Sequence, residues 1–291
     1  MRQDPHSALH VIFLHIGKTA GSTLAKILDR YYPSQETFSI VPHRYHETVA
    51  EFTSLSPAER AKIRLLKGHM QFGLHDYLPP PTTYITMLRD PVNRIVSHYY
   101  FARRTPRHYL HQVIHRENLD IERYVSSGLS WELDNGQLRI LTGHIEDIAF
   151  GGCTPALLDD AKRNLLTHFS VVGLSGRFDE SVLLARRRLG WKGFPVYLKR
   201  NVTAGRPATA QLSKSALRVI RKHNELDLEL YEWVSARFQH EWETESLQRH
   251  LKVFRLMNAM YQSYERLKRR SGRLVPGRRS LVAPPMKPAG Q

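Results

Sequence analysis

The chain has 291 residues, 41% of them hydrophobic, one cysteine and a formal net charge of +16 at pH 7. This composition excludes wholesale disorder, and the lone Cys153 excludes an intramolecular disulfide or a cysteine-based zinc cluster. So large a positive excess favours a polyanionic partner: nucleic acid, anionic lipid, an acidic glycan or a multiply phosphorylated cofactor.

The opening MRQDPHSALH lacks a signal-peptide core, and no apolar run is long enough to span a bilayer; both features point to a soluble, cytoplasmic protein. The first element follows at once. HVIFLHIGKTAGSTLAKIL, residues 10–28, reads as an apolar strand, a glycine loop and an amphipathic helix. Gly17 and Gly21 permit close approach to an anion, Thr19, Ser22 and Thr23 add hydroxyl donors, and Lys18 can reach the anion's far end. The Walker spacing is missing, because Lys18 precedes Gly21 instead of following it. The same residues also suit a plain turn with an exposed lysine.

A second strand over 63–67 ends at Gly68-His69, and a third over 83–88 ends at Arg89-Asp90-Pro91. Pro91 opens a helix over 92–103 that carries Ser97, so Arg89 and Ser97 can converge on one anion, to which arginine offers two parallel donors. An Asp90 cap with Arg89 in a surface ion pair accounts for the same residues. Helices over 155–167 and 178–189 alternate with strands over 169–174 and 194–198, the last followed by the basic turn KRNVTAGRP. The alternation predicts an α/β fold, a P-loop-like parallel sheet flanked by helices. Ser213 is suited to cap a helical run reaching Phe238, in which Trp233 and Phe238 read as packing residues, and residues 246–268 repeat apolar positions at helical spacing. The expected organisation is an α/β domain over 1–245, a C-terminal helix over 246–268, and a basic, mobile tail over 269–291.

Two histidines, His69 and His75, follow the second strand within KGHMQFGLHDYLP, and His69 stands directly at the strand end, where ligands of open α/β sheets collect. His108, His111 and His115 could share a helix face, yet they lack the spacing of a known metal motif. No metal site is expected.

HIGKTAGST with the downstream LRDPVNRIVSHYY resembles the sulfotransferases that use 3′-phosphoadenosine 5′-phosphosulfate (PAPS), and within them the heparan sulfate 6-O- and 2-O-sulfotransferase type. The likeness runs from about residue 10 to about residue 240 and takes in DNGQLRILTG, AKRNLLTHFSVVGL and RKHNELDLELYEW. It implies that Gly17, Lys18, Thr19, Gly21, Ser22 and Thr23 bind the 5′-phosphosulfate, and that Arg89 and Ser97 bind the 3′-phosphate. Lys18 then serves the phosphate leaving group, so neither Walker spacing nor a metal ion is called for. A proline often stands where this chain has Gly17. The turn KRNVTAGRP resembles a loop that closes over the cofactor, implicating Lys199, Asn201 and Thr203. The base matches His69 by a Gly-His pair of the 2-O type and His75 by a GLH context of the 6-O type; the strand-end position favours His69. The implied acceptor is a hydroxyl, on a glycan or other saccharide. Trp131, Asn135, Gln137 and Arg139 lie in a segment that could face it, and Asn and Gln there are equally suited to pinning a helix. Nucleic acid is not an expected partner. Two rival readings are a P-loop nucleotide kinase, which needs Mg²⁺, and a non-enzymatic polyanion binder, whose salt-dependent binding would ignore Lys18.

Overall fold

The computed structural model describes residues 9–198 and 212–271. Its centre is a five-stranded, all-parallel sheet in the order β2-β3-β1-β4-β5. The strands are β1 (His10–Leu14), β2 (Thr37–Ile40), β3 (Leu65–Gly68), β4 (Thr82–Leu88) and β5 (Phe169–Leu174). Every residue of β1 is buried, as a parallel strand covered on both faces requires. The α/β expectation is met.

The helices are α1 (Gly21–Leu28), α2 (Tyr45–Ser54), α3 (Pro57–Arg60), α4 (Pro91–Arg104), α5 (His111–Arg116), α6 (Ile121–Ser126), α7 (Gly136–Thr142), α8 (Pro155–His168), α9 (Phe178–Arg188), α10 (Lys214–His223), α11 (Glu225–Thr244) and α12 (Gln248–Ser271). Local chemistry sets several of their starts. Asp90 caps α4 by accepting from the Asn93 amide at 2.8 Å, with Pro91 in the first turn, where its missing N–H costs nothing. Ser213 caps α10 in the same way, accepting from Ala216. The helical run expected beyond Ser213 breaks at Asn224, whose buried side chain donates to the Leu133 and Ile220 carbonyls, each at 3.0 Å.

One strand expectation needs correction. Residues 194–198 form no strand: the Tyr197 amide donates to Asn258 Oδ1 of α12 at 2.7 Å, and Arg30 donates to the Val196 carbonyl, so a helix side chain and an arginine take the polar groups a sheet would use. The fifth strand is instead β2, a four-residue edge element paired with β3.

The main core packs both sheet faces and extends to Phe238, Trp242 and Phe254 of the C-terminal helices. A second core joins α4, α5, α6 and α10 around Val96, Tyr99, Tyr124 and Ile220.

Candidate active site

The loop after β1 carries left-handed backbone at two non-glycine positions, Lys18 and Ala20, both with φ 69°. Such residues cost free energy unless surrounding structure holds them, and they recur where a loop is shaped for a ligand. Here the hold is visible. Thr19 is fully buried and donates to the Ile16 carbonyl at 2.8 Å, so its hydroxyl closes the loop. Arg89 Nη1 donates to the Lys18 carbonyl at 2.9 Å, tying the end of β4 to the middle of the loop. The first turn of α1 has no side-chain cap, and N–H groups in that position suit an anion. Ser22 is exposed, whereas Thr23 and Gly21 are buried.

Lys18 extends over α4, with Nζ 3.6 Å from the centroid of the Phe101 ring. Ser97 lies on the same helix and is nearly buried. The structure therefore carries Gly17, Lys18, Thr19, Gly21, Ser22 and Thr23 on the loop and first turn of α1, ties Arg89 to that loop, and sets Ser97 one turn before Phe101 on α4. Lys199, Asn201 and Thr203 lie outside the described residues.

His69 leaves β3 on the other side of the loop, and its ring stacks on that of His15, centroids 4.1 Å apart. Space for His15 depends on Gly21, where a Cβ would overlap the imidazole. Burial, then His69 and Lys18, push His15 down to about 3. His69 is also lowered: burial dominates, Glu132 opposes it, and Lys18 adds to it. A neutral His69 beside a lysine is suited to accept a proton.

His75 stands apart. Its amide and Nδ1 both contact the Tyr84 hydroxyl at 3.1 Å, and its ring packs on His168 and Phe72. Tyr84 pairs with Ile12 inside the sheet, short of the strand end that leads to Arg89.

Asn135, Gln137 and Arg139, expected either to face an acceptor or to pin a helix, are interior pins. Gln137 brackets Arg89, accepting from its amide at 3.0 Å and donating to its carbonyl at 2.9 Å. Arg139, with no exposed surface, pairs with Asp134 and donates to the Ile148 and Ala149 carbonyls. Asn135 is buried and accepts from the Asp227 amide at 3.0 Å, while Asp227 in return caps α7 at the Gln137 and Leu138 amides. All three side chains are buried and engaged by partners within the chain. His111 and His115 are likewise engaged, by the Ala102 and Arg103 carbonyls near the end of α4. Among the described residues no three His, Cys, Asp or Glu side chains are grouped as a metal would need.

Sequence reasoning missed three residues at this site. His15 was legible, since it directly precedes the loop. Glu132 and His98 were not: they meet in an ion-pair contact across thirty-odd residues of chain.

The family model described as galactose-3-O-sulfotransferase matches residues 2–271. The chain belongs to the galactose-3-O-sulfotransferase family. Mouse galactose-3-O-sulfotransferase 3 is 28% identical over 263 residues, covering 82% of this chain and 58% of the relative. The Drosophila heparin sulfate O-sulfotransferase is 29% identical over 241 residues, covering 78% of this chain and 63% of the relative. The chain thus spans less than two thirds of the length of either. Among solved structures, mouse sulfotransferase SULT7A1 complexed with PAP, the 3′,5′-diphosphoadenosine product, aligns with a TM-score of 0.37 and 13% identity, over 74% of this chain and 64% of that one. An alignment that loose supports no residue correspondence.

Membership of this sulfotransferase family also overturns the cytoplasmic expectation, because its galactose-3-O-sulfotransferases are Golgi membrane enzymes. No helix among the described residues is long and apolar enough to cross a membrane.

Proposed function

We propose that this member of the family is a PAPS-dependent O-sulfotransferase acting on a saccharide hydroxyl. The observation that carries the reading is the hydrogen bond from Arg89 to the Lys18 carbonyl. It fixes two phosphate-type motifs, from different strands, at a set distance, as a ligand with two separate phosphate groups requires. The left-handed backbone at Lys18 and Ala20 and the uncapped start of α1 fit an anion at the first motif. A planar guanidinium fits one at the second.

The bound donor supplies an electrophilic sulfuryl group joined to a phosphate that departs. Lys18 and the first-turn amides of α1 neutralise charge building on that phosphate, while Arg89 and Ser97 hold the 3′-phosphate end. His69 takes the proton of the acceptor hydroxyl. It is preferred to His75 because its ring stacks on His15, which leads into the Lys18 loop, whereas His75 is bonded to Tyr84. Relatives named for galactose and heparin sulfate support a carbohydrate acceptor. Catalysis on this reading is positioning plus electrostatic stabilisation, with no metal step.

Calorimetry with PAP in EDTA, with ADP as control, tests the proposal. The expected result is tight binding that prefers the 3′-phosphate and weakens in Arg89→Ala. Equal affinity for ADP, or no binding, overturns it.

A further inference from the structure

Five large apolar side chains of α12, Val253, Leu256, Met257, Met260 and Tyr264, are each between 40% and 65% exposed. Single apolar residues on a surface need no account, but a contiguous row of them does. Their spacing of three and four residues puts all five on one helix face, about 17 Å long from Val253 to Tyr264. Folding uses a different face. Phe254 is fully buried in the main core, and Asn258 accepts from the Tyr197 amide at 2.7 Å. α12 is therefore fixed on the body along one side and presents its apolar row outward on the other.

The charges beside that row are nearly all of one sign. From residue 249 to residue 268 the helix carries Arg249, Lys252, Arg255, Arg266 and Lys268 against a single carboxylate, Glu265. Arg255 is paired with Asp179 and Glu180 of α9, at 3.2 and 3.5 Å. Arg249 and Lys252 are exposed at the N-terminal end of the apolar row, and Arg266 is exposed at its far end. The sequence after Ser271 adds Arg273, Arg278, Arg279 and Lys287 and no carboxylate.

A second copy of this helix would complement the apolar row but not the charge. Lys252 and Arg266 flank the row on the same side. Antiparallel copies would set these cations against each other, and parallel copies would offer them no carboxylate in return. A protein groove would have to wrap a helix that the body already holds on one side. A flat anionic surface meets both requirements, since it needs only one exposed face and attracts the cations around it.

We propose that α12 docks on an anionic lipid surface, its apolar row entering the acyl boundary and its lysines and arginines meeting the headgroup phosphates. Tyr264 suits that depth, with an apolar ring and a polar tip. The helix lies on the bilayer and does not span it.

The test is co-sedimentation of the full chain with vesicles of phosphatidylcholine alone and of phosphatidylcholine mixed with phosphatidylglycerol, at low and high salt. Wild type should pellet with the anionic vesicles, bind the neutral ones at least about tenfold more weakly, and be released by salt. The variant Leu256→Ser/Met260→Ser keeps every charge, and both positions lie outside the two cores, so its melting temperature should not change. Its affinity for anionic vesicles should fall roughly tenfold or more. Equal binding by wild type and the serine variant overturns the inference, because general positive charge would then account for the attraction. Wild type that stays in the supernatant also overturns it. If light scattering then finds a dimer that the serine variant loses, the face belongs to a second copy.

Discussion

The imidazoles of His15 and His69 stack at 4.1 Å with an interplanar angle of 30°, one leaving β1 and the other leaving β3. Adjacent parallel strands deliver both rings to the C-terminal end of the sheet, and the His15 amide continues the pairing by donating to the Gly68 carbonyl at 2.9 Å. The proposed base is thus packed against the loop that would hold the donor.

Gly21→Ala should be destabilising, although alanine is the better helix former. The added Cβ overlaps His15, and overpacking of this kind costs about 1–3 kcal/mol. The double variant Gly21→Ala/His15→Ala should recover most of that loss. Chemical denaturation of the four species measures the coupling, and additive effects would show that the ring yields freely.

Acid should destabilise the fold well above the carboxylate range. His15 and His108 are neutral in the folded protein, at about 3 and about 4, because burial disfavours their charged forms. Both titrate near 6.5 when unfolded, so the unfolded chain binds more protons below that pH. Their contribution is complete above 6.5 and is lost as pH falls toward the folded values, at up to about 1.4 kcal/mol per pH unit for each group. Urea unfolding across pH 7 to 4.5 should show a shallower slope in His15→Asn than in wild type.

Replacing Asp134 with asparagine should lower stability by roughly 3–5 kcal/mol, because it strands the Arg139 guanidinium in the interior. The KM for acceptor should be unchanged in whatever fraction folds. A raised KM with unchanged melting temperature would restore Arg139 to a role in acceptor binding.

Arg89→Lys should not rescue Arg89→Ala. Lysine keeps the charge but loses the planar fork that serves the Lys18 carbonyl and a phosphate together. Affinity for PAP should fall about 10- to 100-fold in both variants, consistent with the loss of a charged hydrogen bond. Calorimetry decides it.

The elements that positioned the site were legible because punctuation bounded them. The apolar run before Gly17, and Asp90-Pro91 after β4, each set a strand against a helix start. β2 was not legible, since TFSI is too short and too exposed for either period to register. FPVYL failed for the opposite reason. Its apolar residues are buried or half-buried, with Tyr197 against Phe178 and Phe254, yet its backbone partners come from Arg30 and Asn258, far away in sequence. Asn135, Gln137 and Arg139 could be read either as facing an acceptor or as pinning a helix, because partners such as Asp227 for Asn135 and Arg89 for Gln137 lie far away in sequence. Polar side chains satisfied at long range look the same in sequence as polar side chains awaiting a ligand.

The placement of β1 between β3 and β4 also bears on how the protein can change over generations. Arg89 belongs to the strand on one flank of the loop and His69 to the strand on the other. On the proposed reading, the half of the site that grips the adenosine end and the half that meets the sugar are carried by separate stretches of chain. Substitutions after β3 can explore new acceptors while the β4–α4 stretch goes on recognising the same donor. Within this fold, specificity can drift without disturbing the shared co-substrate.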